Sequence, residues 1–191
     1  MTDVPPTDSA GRGLAELAAE IGKGRLPPVH LWHPAHCGNS DMRIAADGTW
    51  FHEGSPIGRK ELVKLFSTIL RRETDGSFVL VTPGEKLDIL IEDAPFVAVE
   101  VTSAGAGAER RLIFRLNTDD LVACGREHPL RVETAADGTP RPYLHVRGAI
   151  GNGLEALVNR AVFYELADLA LAEKPEAPGL WSDGAFFPFA A

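Results

Sequence analysis

Cysteine is scarce: the 191 residues hold two, Cys37 and Cys124, far apart and outside any C-x-x-C pair. A secreted disulfide scaffold would be richer in cysteine, so two reduced thiols in a reducing compartment are expected. Positive charge is also in deficit, with 19 Lys and Arg against 27 Asp and Glu and a formal charge of −8. The basic pairs Arg71-Arg72 and Arg110-Arg111 stand alone. A nucleic-acid binder needs a clustered basic face to displace counterions, so neither nucleic acid nor an anionic membrane is an expected partner. Charges interrupt every apolar run before it reaches the ~20 residues of a membrane span. The opening Met1-Thr2-Asp3-Val4-Pro5-Pro6 lacks the basic and apolar regions of a signal peptide, which points to a cytoplasmic location.

What the chain does have is an ordinary globular composition, 45% hydrophobic and 24% charged, at a length that suits one medium domain or two small ones. Residues 1–13 read as a loose arm. Leu14, Leu17, Ala18 and Ile21 then fall on one helical face, ended by Gly22, Gly24 and Pro27-Pro28. Val29–His33 reads as a short strand. Asp41–Ala45 and Thr49–Glu53 flank Asp47-Gly48, a two-residue hairpin signal. Leu62, Leu65, Phe66, Ile69 and Leu70 form the apolar face of a helix. Phe78–Val81, Leu87–Ile91, Phe96–Thr102, Arg111–Leu116, Leu121–Cys124 and Tyr143–Val146 read as strands. A last helical stripe is expected from Leu154 through Leu157, Val158, Ala161, Val162 and Leu166 to Ala170, before Pro175. The aromatic tail Trp181–Phe189 is expected to dock on a surface groove.

Two stretches share a grammar. Asp47-Gly48-Thr49, a strand, a Gly-bearing loop and the helix at Leu62 are matched by Asp137-Gly138-Thr139, a strand, a Gly-rich loop and the helix expected at Leu154. Even Leu62-Val63-Lys64 and Leu157-Val158-Asn159 correspond. The expected fold is therefore α+β, as two related units of antiparallel strands, each closed by an amphipathic helix. The second unit has the sequence grammar of a pleckstrin-homology-like barrel. The expected divisions are an arm and short helix (1–26), an N-terminal domain (27–82) and a C-terminal domain (83–191).

Few catalytic signatures survive inspection. His30, His33 and His36 with Cys37 are zinc-ligand types, but residues three apart on a strand face opposite ways, and Pro34 prevents a continuous helix. A metal-assisted enzyme built on that region is the weakest alternative. Ser55 precedes Pro56, which has no N–H to build an oxyanion hole. Gly151-x-Gly153-x-x-Ala156 lacks the second parallel strand and acidic tip of a dinucleotide unit. No cofactor is expected. What remains is two Gly-rich loops leading to expected helix N-termini, with Arg59 beside the first and Arg147 before the second. The expected function is non-catalytic binding of a small, nucleotide-like anion between the units. Arg43, Arg59 and Arg147 would hold its charge, His33 or His52 would donate hydrogen bonds, and Trp50 would stack on a base. A protein-interaction module with no small ligand is the other reading.

The ordered blocks Leu31-Trp32-His33-Pro34, Asp41-Met42-Arg43-Ile44, Asp47-Gly48-Thr49-Trp50-Phe51, Gly54-Ser55-Pro56-Ile57-Gly58-Arg59, Leu80-Val81-Thr82-Pro83, Glu92-Asp93-Ala94-Pro95-Phe96, Pro142-Tyr143 and Gly179-Leu180-Trp181-Ser182 resemble the bacterial domain of unknown function 1285. The resemblance covers nearly all of the chain after residue 26. It implies two domains from a duplication, the second superficially like a pleckstrin-homology barrel. It also implies a nucleotide-based ligand at the domain interface and a role in signal transduction, with no catalytic residues to carry over. Gly84 departs from the pattern, where a larger apolar residue is expected.

Overall fold

Strands alternate buried and more exposed residues wherever one face is buried, as Ser40–Ile44 does in the first half of the chain. The computed structural model describes residues 26–189, so the helical stripe expected at Leu14–Ile21 lies outside the described residues. In chain order the first unit runs β1 (His36–Ile44), β2 (Trp50–His52), β3 (Ser55–Pro56), helix α1 (Lys60–Thr68), β4 (Leu70–Arg72), β5 (Phe78–Val81) and β6 (Glu85–Ile91). They form one sheet of order β3-β2-β1-β6-β5-β4. Neighbours are antiparallel except β1 and β6, which pair in parallel. Met42, Ile44, Trp50, Leu70, Leu80 and Ile89 make its core.

Before β1 the structure differs from expectation. Val29–Leu31 is a single 3-10 turn, not a strand. Pro27 and Pro28 offer carbonyls but no N–H, and those carbonyls accept from Val29 and Leu31 at 2.8 and 2.9 Å. Helix α1 also stops earlier than its apolar stripe suggests. Leu70 leaves it to pair with Leu80 across β4 and β5.

The second unit runs β7 (Phe96–Ala104), β8 (Arg111–Leu116), β9 (Leu121–Ala123), β10 (Leu130–Thr134), β11 (Pro140–Arg147), β12 (Leu154–Val158), helix α2 (Arg160–Glu173), β13 (Gly179–Ser182) and β14 (Ala185–Pro188). Its sheet has order β10-β11-β12-β7-β8-β9, antiparallel except for the central parallel pair β7 and β12. Counted from each unit's own first strand, both sheets have the order 3-2-1-6-5-4. β13 and β14 form a separate hairpin.

The link from β9 to β10 shows that this second sheet curls. Those strands lie at opposite edges, which a flat six-stranded sheet would hold ~24 Å apart. Residues 124–129 could span that gap only if nearly fully extended. They are not extended, because the Gly125 N–H bonds the His128 carbonyl in a turn at 3.1 Å. The edges must approach one another, and the sheet is a curled half-barrel.

Two corrections follow. Among the described residues the units divide after Glu92, the first holding residues 26–45 with Thr49–Glu92 and the second Ala46–Gly48 with residues 93–189. A boundary at 82/83 would cut β6 from the sheet it completes between β1 and β5. Leu154–Val158 is strand β12, not the start of a helix. Leu154, Ala156 and Val158 are buried while Glu155 and Leu157 are less so, a period of two. The two Asp-Gly-Thr turns therefore occupy different places, joining strands one and two of the first unit but four and five of the second. Each does open a step that leads through a third strand to a helix.

Helix α2 packs Val162, Leu166 and Ala170 inward. Near its C-terminal end lies Arg110, 4% exposed. Arg110 Nη2 donates to Glu173 Oε1, while Nε and Nη1 are buried without a partner. The Arg110 carbonyl accepts from the Asp183 N–H at 2.9 Å, tying the β13–β14 hairpin to the same point. Among the described residues no helix is long and apolar enough to cross a membrane.

Candidate functional site

Four of the six expected ligand residues lie on β1, β2 or the entry to α1, but they do not share a face. On β1, Met42 and Ile44 point into the core, which turns Arg43 to the other side. Arg43 lies opposite Phe51 in the ladder, its guanidinium 4.2 Å from that ring, and its Nη1 pairs with Glu92. Trp50 is 2% exposed and stacks on Phe66 at 6.4 Å. A ring sealed in the core cannot receive a base, so the stacking role expected of Trp50 is corrected to a packing role. His52 ends β2 and is exposed, as is His33 outside the sheet.

Arg59 is the N-cap residue of α1 and is exposed. Its carbonyl accepts from Leu62 and Val63 at 3.1 and 3.2 Å, and no side chain caps the helix. No side chain therefore closes the first turn of α1, where the positive end of the helix lies beside a guanidinium.

His30 lies in the 3-10 turn, and His36 and Cys37 open β1 opposite Glu85 and Lys86. Among the described residues no three His, Cys, Asp or Glu side chains gather closely enough to hold a metal ion.

Arg147 ends β11, half-buried, with its guanidinium 5.6 Å from the Phe96 ring centroid. Desolvation pulls it down to about 10, against the opposing pull of Asp120. The loop after it, residues 148–153, leads into β12, so Arg147 does not sit before a helix N-terminus as expected. The helix that follows is α2, and it caps itself: Asn159 Oδ1 accepts from the Val162 N–H at 2.9 Å.

Sequence reasoning missed a polar face on β10, β11 and β12. The Tyr143 hydroxyl donates to Asp93 Oδ1 at 2.8 Å, and Arg141 bonds both Asp93 Oδ2 and the Tyr143 oxygen. Arg131 sits 4.6 Å over the Tyr143 ring and holds Glu155 through two bonds of 2.8 and 2.7 Å. Burial, then the Asp93 bond, raises the Tyr143 pKa, while Glu155 first among its neighbours raises that of Arg131. The alternation Arg131, Glu133 and Arg141, Tyr143, His145 was the available signal, but Leu130–Thr134 was not read as a strand. The network is internally satisfied, and its chemistry is that of a staple. The tail is likewise a hairpin whose turn, Asp183-Gly184, has φ of 50° and 73° and matches the same Asp-Gly signal used at residue 47. Trp181 and Phe186 face each other on its outer side, 36% and 38% exposed.

Comparison with known proteins agrees with this division. Residues 27–94 match the family model described as "Domain of unknown function (DUF1285), N-terminal domain". Residues 95–189 match "Protein of unknown function (DUF1285), C-terminal domain". No curated protein matches the chain. The crystal structure of a DUF1285 family protein from Silicibacter pomeroyi DSS-3 superposes with a TM-score of 0.80 at 48% identity, covering 94% of this chain and 95% of that one. The crystal structure of another, from Shewanella baltica OS155, gives a TM-score of 0.50 at 25% identity over 66% of this chain and 90% of that one.

Proposed function

The chain belongs to the DUF1285 family, and from that premise we propose that it is a non-catalytic protein that binds a small phosphate-bearing or nucleotide-like anion. The observation that carries this reading is the open N-terminus of α1. The helix begins with Arg59 and Lys60, has no side-chain cap, and is exposed. An oxyanion there would meet backbone N–H groups, the positive helix end and a guanidinium able to grip two oxygens. α2 lacks this opening because Asn159 occupies its cap. His52 and Ser55, on the strands before α1, are further exposed donors. A sensing or signalling role fits a binder without catalytic groups. The reading of the second unit as pleckstrin-homology-like rests on the resemblance in sequence.

The test is thermal unfolding with inorganic phosphate and a panel of nucleotides at millimolar concentration. A ligand of the native state raises Tm by mass action, and ~2.7 kcal/mol is gained at a hundredfold excess over Kd. Arg59→Gln should erase the shift while leaving the unliganded Tm unchanged. No shift with any anion ends the proposal.

The exposed Trp181–Phe186 pair favours a second reading, a protein-interaction surface on the C-terminal hairpin. Loss of a co-purifying partner on Trp181→Ala with Phe186→Ala would support it.

A further inference from the structure

We propose that the β11–β12 loop, residues 148–153, is an acid-released strap, latched at neutral pH by the uncharged imidazole of His145. His145 is 4% exposed although it lies on the polar face of its sheet, opposite Glu155. The loop folds back over it. A carbonyl can only accept, so the 3.1 Å contact between Nε2 and the Gly148 oxygen places the ring proton on Nε2. Nδ1 is then a bare acceptor, buried and without a partner. Gly148 holds φ at +88°, and Gly153 lies so close that an added Cβ would stand 2.6 Å from His145 Cε1. His145 holds the loop through this hydrogen bond and through ring contact, and glycine permits both.

Protonation would place an N–H at Nδ1 with no acceptor and a charge in a dry site. His128 faces the ring at 6.2 Å and bonds the His145 carbonyl through its own Nδ1 at 3.2 Å, so a charge there adds repulsion. From β12 the facing group is Glu155, already held by Arg131 of β10, which also pairs with Glu133. Tyr143 and Arg147 flank His145 on its own strand. Burial lowers the His145 pKa first; the Gly148 bond and Glu155 raise it, and His128 lowers it. The closed loop therefore holds its full stability above the unperturbed value of 6.5 and loses it as pH falls through the lower value of the closed state. Residues 148–151 are exposed and the tip residue Ile150 lies in solvent, so the outer part of the loop is free of the core.

The experiment uses the full chain, with histidine-labelled NMR to follow the His145 ring and amide exchange, corrected for intrinsic rate, to follow the loop at the Asn152 amide, which donates to the Ala149 carbonyl at 3.0 Å. The expected result is a His145 midpoint below the unperturbed value and loop protection that falls by about tenfold per pH unit until that midpoint is passed. His145→Gln keeps a neutral N–H donor and should make protection independent of pH. Should that variant fail to fold, His128→Leu removes the neighbouring charge and should move the ring and loop midpoints upward together. Loop protection that stays flat from neutral pH to about pH 5 overturns the proposal. So does pH-dependent protection that persists in His145→Gln, or midpoints that separate in His128→Leu.

Discussion

The two units build sheets of the same strand order, yet place their helices differently. In the first, α1 lies between the third and fourth strands and carries the chain from one sheet edge toward the other. In the second, a turn of six residues makes that step, and α2 follows the sixth strand. A helix supplies reach, so a sheet that has one need not bring its edges together, whereas a sheet with only a short link must curl. The helices also differ at their starts. α2 is closed by Asn159, and α1 is left open by Arg59.

The largest effect is expected where the second unit anchors its helix. Arg110→Ala leaves a void where a buried side chain packed, while the exposed Glu173 carboxylate is left to water, and should cost about 2–4 kcal/mol in urea denaturation. Arg110→Met fills the space without a charge and should cost much less, because two guanidinium nitrogens are already unpartnered. Next is Gly153→Ala, whose Cβ would meet the Arg147 oxygen at 2.4 Å, at a cost of about 1–3 kcal/mol. In the first unit Gly84→Ala meets nothing within 4 Å and should stay within about 0.5 kcal/mol, so the departure at Gly84 is without consequence for packing. Exchanging the caps gives opposite signs. Asn159→Ala should lose about 1 kcal/mol, while Arg59→Asn should gain a few tenths and abolish anion binding, both read from denaturant midpoints. The smallest effect on stability separates the cysteines. Cys37 is exposed, whereas burial pushes the Cys124 thiol up to about 12. Alkylation of the native protein near pH 8 should add a single group by mass, and it should lie on Cys37.

Much of this comparison was legible in the residues. A short apolar run located β5, alternation located β8, and Asp47-Gly48 and Asp137-Gly138 marked two hairpins. Pro27-Pro28 reads only as the end of a helix, and the strand expected at Val29–His33 is a 3-10 turn. Failures arose where a local pattern fits two periods. Leu154, Leu157 and Val158 suit a helix as well as a strand, and only pairing with β7 and β11 decides between them. The candidate site was half legible. Arg59 at a helix entry could be read, but Trp50 and Phe51 are adjacent aromatics, and which one is buried depends on strand register.

The amino-acid order by itself determined the Asp-Gly turns and the alternating strands, since each depends on neighbours a few residues away. Tertiary structure alone decided the parallel pairing of β1 with β6 and β7 with β12, the curl of the second sheet, and the burial of Arg110, Trp50 and His145. Those contacts join residues tens of positions apart. Their free energy depends on what the rest of the fold has already removed from water.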